Sequence, residues 1–488
     1  MTLKTQVAQG LKWQAINIVG RQLISLVVFT TLARLLEPSS FGLVGLIGVY
    51  LGFIAMFADQ GIGPALIQRK DLEHEHKDTA FWTNVGCSLF LCCGTIIFAR
   101  GISTLLGEPR LAPLLCWSSL GLVIRGLSAI HSTLLIKGMD FRRTTVRALA
   151  SNLIGGVVGI FIALRGHGVW ALIGQQLASA LTGAFFLWIV SDYRPAFRFS
   201  VRHFRDLTSV GWSTFATSLL WFFSSRLDQM VIGRFIGVPT LGLYVIGNKL
   251  PDMAKTITQG PLSGISLPAL SKLQDNHKRM CETIYRGMEL NATVSFAIFI
   301  GLATISSDLV AILFGHKWAQ AAPLSSLLSI YALVNVLLVF VHPALLASGG
   351  AGRYVILNVW QTAGMALACL VGIRFGVEYL ILSVITVNLI IAMPALLFLK
   401  KRIGLNPLDY CRPCIMPCLA AVTMAFVIWT MSKIFPANAG SVFSVSCKVA
   451  IGALTYISFL LLFKRISLIR ISDTVRHAFN QPRGAQID

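Results

Sequence analysis

Stretches of about 20 apolar residues recur along the whole chain, separated by short polar segments. Each is long enough for the ~30 Å hydrocarbon core of a bilayer. The pattern predicts fourteen membrane-spanning helices, near 13–33, 41–63, 81–101, 111–136, 147–165, 168–190, 211–235, 240–266, 287–314, 322–347, 354–374, 378–399, 412–432 and 445–463. The eighth is the most polar, broken by Lys249, Pro251, Asp252, Lys255 and Pro261. The fold class expected is therefore an all-α integral membrane protein.

The same pattern starts over near the middle. Ala33-Arg34-Leu35-Leu36 and Gly42-Leu43 return as Gly233-Arg234-Phe235-Ile236 and Gly242-Leu243, and Pro64-Ala65-Leu66 returns as Pro268-Ala269-Leu270. His131, Leu134-Leu135, Gly138 and Arg142 return as His342, Leu345-Leu346, Gly349 and Arg353. Leu164-Arg165 through Gly168-Val169 returns as Ile373-Arg374 through Gly376-Val377. The order is kept and the offset drifts only from 200 to 211. Residues 1–200 then form one six-span lobe and 201–403 a second, entering from the same side as a parallel repeat. Residues 404–463 carry two further spans with no counterpart. The basic tail 464–488 reads either as an amphipathic segment on the inner leaflet or as a solvated end.

Composition agrees with a membrane bundle: 55% of the residues are hydrophobic and 12% charged, against about 25% charged in soluble proteins. The net charge of +21 would suit nucleic acid, but its placement argues against that partner. With an internal N-terminus, 27 Lys and Arg fall on the cytoplasmic side, 8 outside and 6 within spans. This is the positive-inside bias, and it places both termini in the cytoplasm. The first apolar segment is long and holds Arg21, so no cleavable signal is expected.

Several motifs resolve to bland readings. No Gly-x-x-x-x-Gly-Lys-[Ser/Thr] loop is present, so ATP is not the direct fuel. His74-Glu75-His76 sits among Asp71, Glu73, Lys77 and Asp78 and reads as a solvated polar face. Cys411-Arg-Pro-Cys414 with Cys418 lacks a second pair for a closed zinc site, and the ten cysteines do not form a disulfide framework. Gly155-Gly156-x-x-Gly159 and Gly42-x-x-Gly45-x-x-Gly48 read as helix-packing surfaces. No metal, cofactor or catalytic group is expected. External loops of roughly 5–10 residues leave no room for a catalytic domain.

Ionisable residues inside spans are harder to dismiss. An Arg at the bilayer centre costs from ~3 to more than 10 kcal/mol, so it faces a wet cavity or a partner. Arg21 lies mid-span in the first helix, with Gln14 and Asn17 on the same face, and Arg125 lies mid-span in the fourth. Arg226 and Asp228 occupy the seventh. Lys249, Asp252 and Lys255 mark one face of the eighth, and Asp59 occupies the outer part of the second as the chain approaches Gln60-Gly61. Arg21, Arg125, Arg226 and Asp228 are the primary cavity candidates; the others named are secondary, for cavity lining or coupling. Structural pairing of Arg21 with Asp59, or of Arg226 with Asp228 or Asp252, is the competing reading. His131 and His342 suit packing as well as proton handling.

Surplus guanidinium suits an anionic substrate, because it binds phosphate oxygens in forked geometry. A wet basic seam between two lobes lowers the desolvation barrier to moving a diphosphate head while its lipid tail stays in hydrocarbon. A membrane potential negative inside adds ~2.3 kcal/mol per net charge per 100 mV to the outward movement of an anion.

Ala58-Asp59-Gln60-Gly61-Ile62-Gly63-Pro64-Ala65-Leu66-Ile67-Gln68-Arg69-Lys70-Asp71-Leu72 resembles a signature of the polysaccharide transporter family, the Wzx-type oligosaccharide flippases. Leu227-Asp228-Gln229-Met230-Val231-Ile232-Gly233-Arg234, running on to Leu241-Gly242-Leu243-Tyr244, is similar to a second signature, and Pro268-Ala269-Leu270-Ser271-Lys272-Leu273-Gln274-Asp275 to a third. The nearest branch is that of colanic acid and teichuronic acid exporters. The resemblance covers roughly residues 1–400. It implies the multidrug/oligosaccharidyl-lipid/polysaccharide exporter fold: two six-helix lobes, a V-shaped cavity and two added helices. It also implies alternating access on an undecaprenyl-diphosphate-linked oligosaccharide in a bacterial inner membrane, with a polysaccharide polymerase and chain-length machinery as partners. A cation-coupled drug antiporter on the same fold would favour acidic cavity groups. A membrane glycosyltransferase or polymerase would need paired external carboxylates, whereas Glu108 and Glu378 stand alone.

Overall fold

A computed structural model describes residues 3–59, 61–69, 71–434 and 442–463; the predicted basic tail lies outside them. Every regular element among the described residues is helical. The first part of the chain forms α1 (Leu3–Leu35), α2 (Pro38–Asp59), a short α3 (Ile62–Gln68), α4 (His74–Leu105), α5 (Leu111–Lys137), α6 (Phe141–Leu164) and α7 (Trp170–Val190). Next come α8 (Val201–Val231), a π-helical turn at Ile232–Ile236, α9 (Val238–Ser271) and α10 (His277–Phe314). The rest are α11 (Ala321–Val336), α12 (Val341–Ala347), α13 (Ala351–Gly372), α14 (Val377–Ile403), α15 (Pro407–Ile434) and α16 (Val442–Phe463).

Among the described residues, twelve helices are long and apolar enough to cross a membrane, α11 and α12 counting as one. The chain is a multi-pass membrane protein. The predicted seventh and eighth spans are α8 and α9, of 31 and 34 residues. They carry Arg226, Asp228, Lys249, Asp252 and Lys255 and fall outside the apolar set. Two expected spans are also interrupted. The second ends at Asp59, because Gly61 takes a left-handed φ of 72°, a conformation glycine adopts without a Cβ penalty, and α3 starts afresh. The tenth is split at residues 337–340.

The described residues form two compact units, one within 1–246 and 358–383, the other within 247–357 and 384–488, with the divisions falling inside α9, α13 and α14. In the first unit α6 is the spine. A Cβ on Gly155 or Gly159 would press into Ser179 or Gln175 of α7, and one on Gly156 into Val28 of α1. Small residues thus bring α6 backbone to backbone with α7 and seat the Val28 side chain of α1 against it, the packing that replaces the hydrophobic effect inside lipid. In the same unit the starts of α2 and α9 meet reciprocally. A Cβ on Gly42 would collide with the Val238 carbonyl oxygen, and one on Gly242 with that of Pro38.

The second unit is built around α10, whose Met280, Ile284, Met288, Ala292 and Phe299 lie in the core with Ala420, Ala421, Met424 and Ile428 of α15. Lys448 of α16 donates to Asp308 of α10 at 2.6 Å, both largely buried. Tyr456 donates to the Thr293 carbonyl at 2.7 Å. In a lipid-facing bundle such a pair is retained because either member alone would be an uncompensated charge.

Candidate substrate cavity

Within the first unit, α2, α4 and α5 enclose a cavity of about 280 Å³ lined by Ala55, Ala58, Asn84, Ser88, Leu122, Arg125, Gly126 and Ala129. Helices α4 and α5 close on it at Gly126, where a Cβ would lie 2.6 Å from the Ser88 hydroxyl. Asn84 and Ser88 share a face by their spacing of four. The Asn84 Oδ1 is buried without a hydrogen-bond partner, which leaves an acceptor available to whatever fills the space. Arg125 is exposed and forms no ion pair among the described residues. A guanidinium and a free amide oxygen beside one opening can hold an anionic group and a hydroxyl together.

A second cavity of the same unit, about 430 Å³, lies where α5 ends and α6 begins, lined by Asp140, Arg142, Arg143, Arg147, Phe186 and Val190 among others. Arg143 pairs with Asp140 at 3.3 Å, leaving Arg142 and Arg147 as surplus positive charge. The Arg147 Nε is buried and has no hydrogen-bond partner. Arg147 also lies close enough to Arg21 of α1 for the two charges to repel. One turn before Arg21, the Asn17 Oδ1 is likewise buried and unpartnered. Packing of α1 on α6 is further fixed by Thr145, which donates to the Trp13 carbonyl at 3.1 Å, and by Arg142 over the Trp13 ring.

The remaining candidates divide. Asp228 is buried, accepts from the Tyr244 hydroxyl, and accepts from the Gln229 backbone N–H at 2.8 Å. Arg226 turns to the Gln229 side chain at 3.1 Å and makes no close ion pair with Asp228 among the described residues. Asp228 is therefore held by hydrogen bonds to neutral groups. On α9, in the second unit, Asp252 attracts both Lys249 and Lys255. His131 is fully buried among Phe81, Trp188 and Tyr193, its two ring nitrogens without hydrogen-bond partners. His342 is partly buried beside Tyr354. The Asp59 side chain lies outside the described residues.

Sequence reasoning missed Arg147, Asn84 and the Lys448–Asp308 pair. Arg147 stands at a helix start within a basic cluster and looks like an interfacial residue. Asn84 had a signal in its i, i+4 relation to Ser88, two polar groups on one face of an apolar helix.

The model of the family described as "Polysaccharide biosynthesis protein" matches residues 31–323. The chain belongs to this family. Over 98% of its length it is 26% identical to the succinoglycan biosynthesis transport protein ExoT of Rhizobium meliloti (strain 1021), covering 97% of that protein. It is also 26% identical to the teichuronic acid biosynthesis protein TuaB of Bacillus subtilis (strain 168), over 93% of this chain and 95% of that one. Among solved structures, the lipid II flippase MurJ in an inward closed conformation superposes with a TM-score of 0.74 at 17% identity, covering 93% of this chain and 99% of MurJ. An inward-facing multidrug resistance MATE transporter of the MOP superfamily gives 0.60 at 16% identity, covering 80% and 98%. The helices therefore share the fold of MurJ and of this MATE transporter.

Proposed function

We propose that the chain is a flippase. It moves undecaprenyl-diphosphate-linked oligosaccharide repeat units from the inner to the outer leaflet of a bacterial cytoplasmic membrane, by alternating access, for surface polysaccharide synthesis. The observation that carries this reading is the surplus of guanidinium at the cavities of an otherwise apolar bundle. Arg125 faces one opening, and Arg21 with Arg147 holds unbalanced positive charge near another. Uncompensated charge inside a membrane protein is costly unless it meets water or a counter-charge. A diphosphate supplies the latter, and the protein's task is to replace its hydration in transit without forming or breaking a covalent bond.

Fourteen spans in two parallel six-helix lobes complete the reading, with α8 and α9 as the seventh and eighth. The register of the helix starts supports it: α2 begins at Pro38 and α9 at Val238, α5 at Leu111 and α11 at Ala321, α6 at Phe141 and α13 at Ala351. So does the reciprocal approach of Gly42 and Gly242. The charge bias supports cytoplasmic termini, and a polysaccharide polymerase with its chain-length machinery would take the product on the outer face.

Replacing Arg125 by Ala, and separately Arg21 by Ala, should reduce surface polysaccharide at least tenfold while lipid-linked repeat units accumulate on the inner leaflet. Normal surface polysaccharide in both variants at wild-type expression would remove these residues from the path.

A further inference from the structure

Outside the cavities, one cluster in the first unit has a chemistry that transport does not use. We propose that Glu73, His76 and His203 form a binding site for a late first-row divalent cation, with zinc the best fit, fastening the start of α8 to the start of α4. The sequence reading placed His76 on a solvated face with His74. In the structure His74 is exposed and His76 is buried, turned to a residue more than a hundred positions away.

The geometry is that of a ligand set. One donor atom from each of the three residues lies within 4.8 Å of the other two. Glu73 Oε2 is 3.9 Å from His76 Nδ1 and 3.6 Å from His203 Nε2. Tetrahedral zinc with bonds of ~2.0–2.1 Å has ligand–ligand edges of ~3.3–3.5 Å, so small side-chain rotations close the triangle. The two imidazole rings meet edge to face with centroids 4.1 Å apart, a separation at which two protonated rings repel and a shared cation does not.

A second feature points the same way. The other nitrogen of His203, Nδ1, faces Glu75 Oε2 at 3.7 Å. A carboxylate behind a metal-binding imidazole fixes its tautomer and raises its basicity. His76 and His203 are shielded while Glu73 is 67% exposed, so a fourth position is open to water. Two imidazoles and one carboxylate select zinc, cobalt or nickel over magnesium or calcium. The surroundings are already fastened. Asp78 accepts from Tyr193 and from the Ala196 backbone, Thr79 accepts from the Ser200 backbone, and Trp82 stacks on Phe197.

The test uses the full chain in detergent, purified with a tag free of histidine, stripped with chelator and titrated with Co²⁺. One equivalent should bind with the intense visible absorption of tetrahedral cobalt, and Zn²⁺ should displace it. His203→Ala or His76→Ala should weaken binding at least 100-fold, Glu75→Gln about 10–100-fold as outer-shell partners do, and His74→Ala not at all. Absence of the cobalt spectrum in the wild-type protein overturns the site. So does unchanged affinity in His203→Ala, which alters a residue at the edge of the fold and decides the matter even where the buried His76 variant does not fold.

Discussion

Helix α5 and the pair α11–α12 carry matching residues, His131, Leu134-Leu135 and Gly138 against His342, Leu345-Leu346 and Gly349, yet only the first is continuous. The position of Ser132, next to His131, holds Pro343 next to His342. Proline has no N–H to give, and its ring would clash with the carbonyl four residues back. Ahead of Pro343 the chain leaves α11 at Val336, passes through tight i→i−3 turns and restarts at Val341, although α9, α14 and α15 run on through their own prolines. Pro343 then falls in the first turn of α12, where no N–H is needed. The Leu337 carbonyl at the break accepts from the buried Tyr410 hydroxyl at 2.7 Å. The histidines diverge with their helices: His131 is sealed in an aromatic cluster, and His342 is partly open. Matching sequence at these two places does not give matching side-chain surroundings.

The largest expected effect tests that cause directly. Ser132→Pro should destabilise the protein by about 3 kcal/mol or more, whereas Pro343→Ser should change it by under ~1 kcal/mol; thermal unfolding in detergent reads both. Similar melting shifts for the two would mean that proline is not what divides α11 from α12. Next, Gly42→Ala and Gly242→Ala should each cost about 1–3 kcal/mol by overpacking, and by amounts equal within ~0.5 kcal/mol. Gly94→Ala, with open space around it, is the control. Unequal losses would show that the two glycines do not bear equally on this contact.

Tyr193 belongs to the aromatic cluster around His131 and donates to Asp78 at 2.7 Å. Burial, then that hydrogen bond, then the Asp78 charge raise its pKa above the usual phenol value. The folded protein keeps this proton where the unfolded chain loses it, so the contribution is complete below pH ~10 and declines as pH rises beyond it. Tyr193→Phe should cost about 1.5 kcal/mol at neutral pH and flatten the alkaline loss of stability. A melting profile with an unaltered alkaline limb would count against the assignment. The smallest effect is that of His131→Phe, which should shift stability by under ~1 kcal/mol, since it removes two unpaired nitrogens while keeping a ring. Transport should persist. Loss of transport at normal expression would make His131 a proton carrier and separate it further from His342.

Much of this was legible in the apolar runs, which located all twelve apolar spans and the course of α8 and α9. The split in α11–α12 was not, because hydropathy weighs Pro343 as one more tolerated residue while its backbone consequence depends on register. Arg21 and Arg125 stood out because a charge mid-span has few bland explanations. Arg147 did not, since arginine near a helix start is what an interface normally carries. The approach of His76 to His203 had no local signal at all: each residue sits in its own polar segment, and only the fold of the link between α7 and α8 unites them.

The starts of α2 and α9 touch peptide to peptide at Gly42 and Gly242, with the Leu241 and Val245 side chains packed one turn on against Gly45. Most helix contacts interdigitate, and one helix can turn against another only if those knobs climb out of their holes. Here the Val238 and Pro38 carbonyls lie against bare glycine, so at this one point no side-chain knob sets the register of the two helix starts. The two glycines also constrain each other: a methyl gained by either strikes a carbonyl at the start of the other helix, and neither position is free to drift alone.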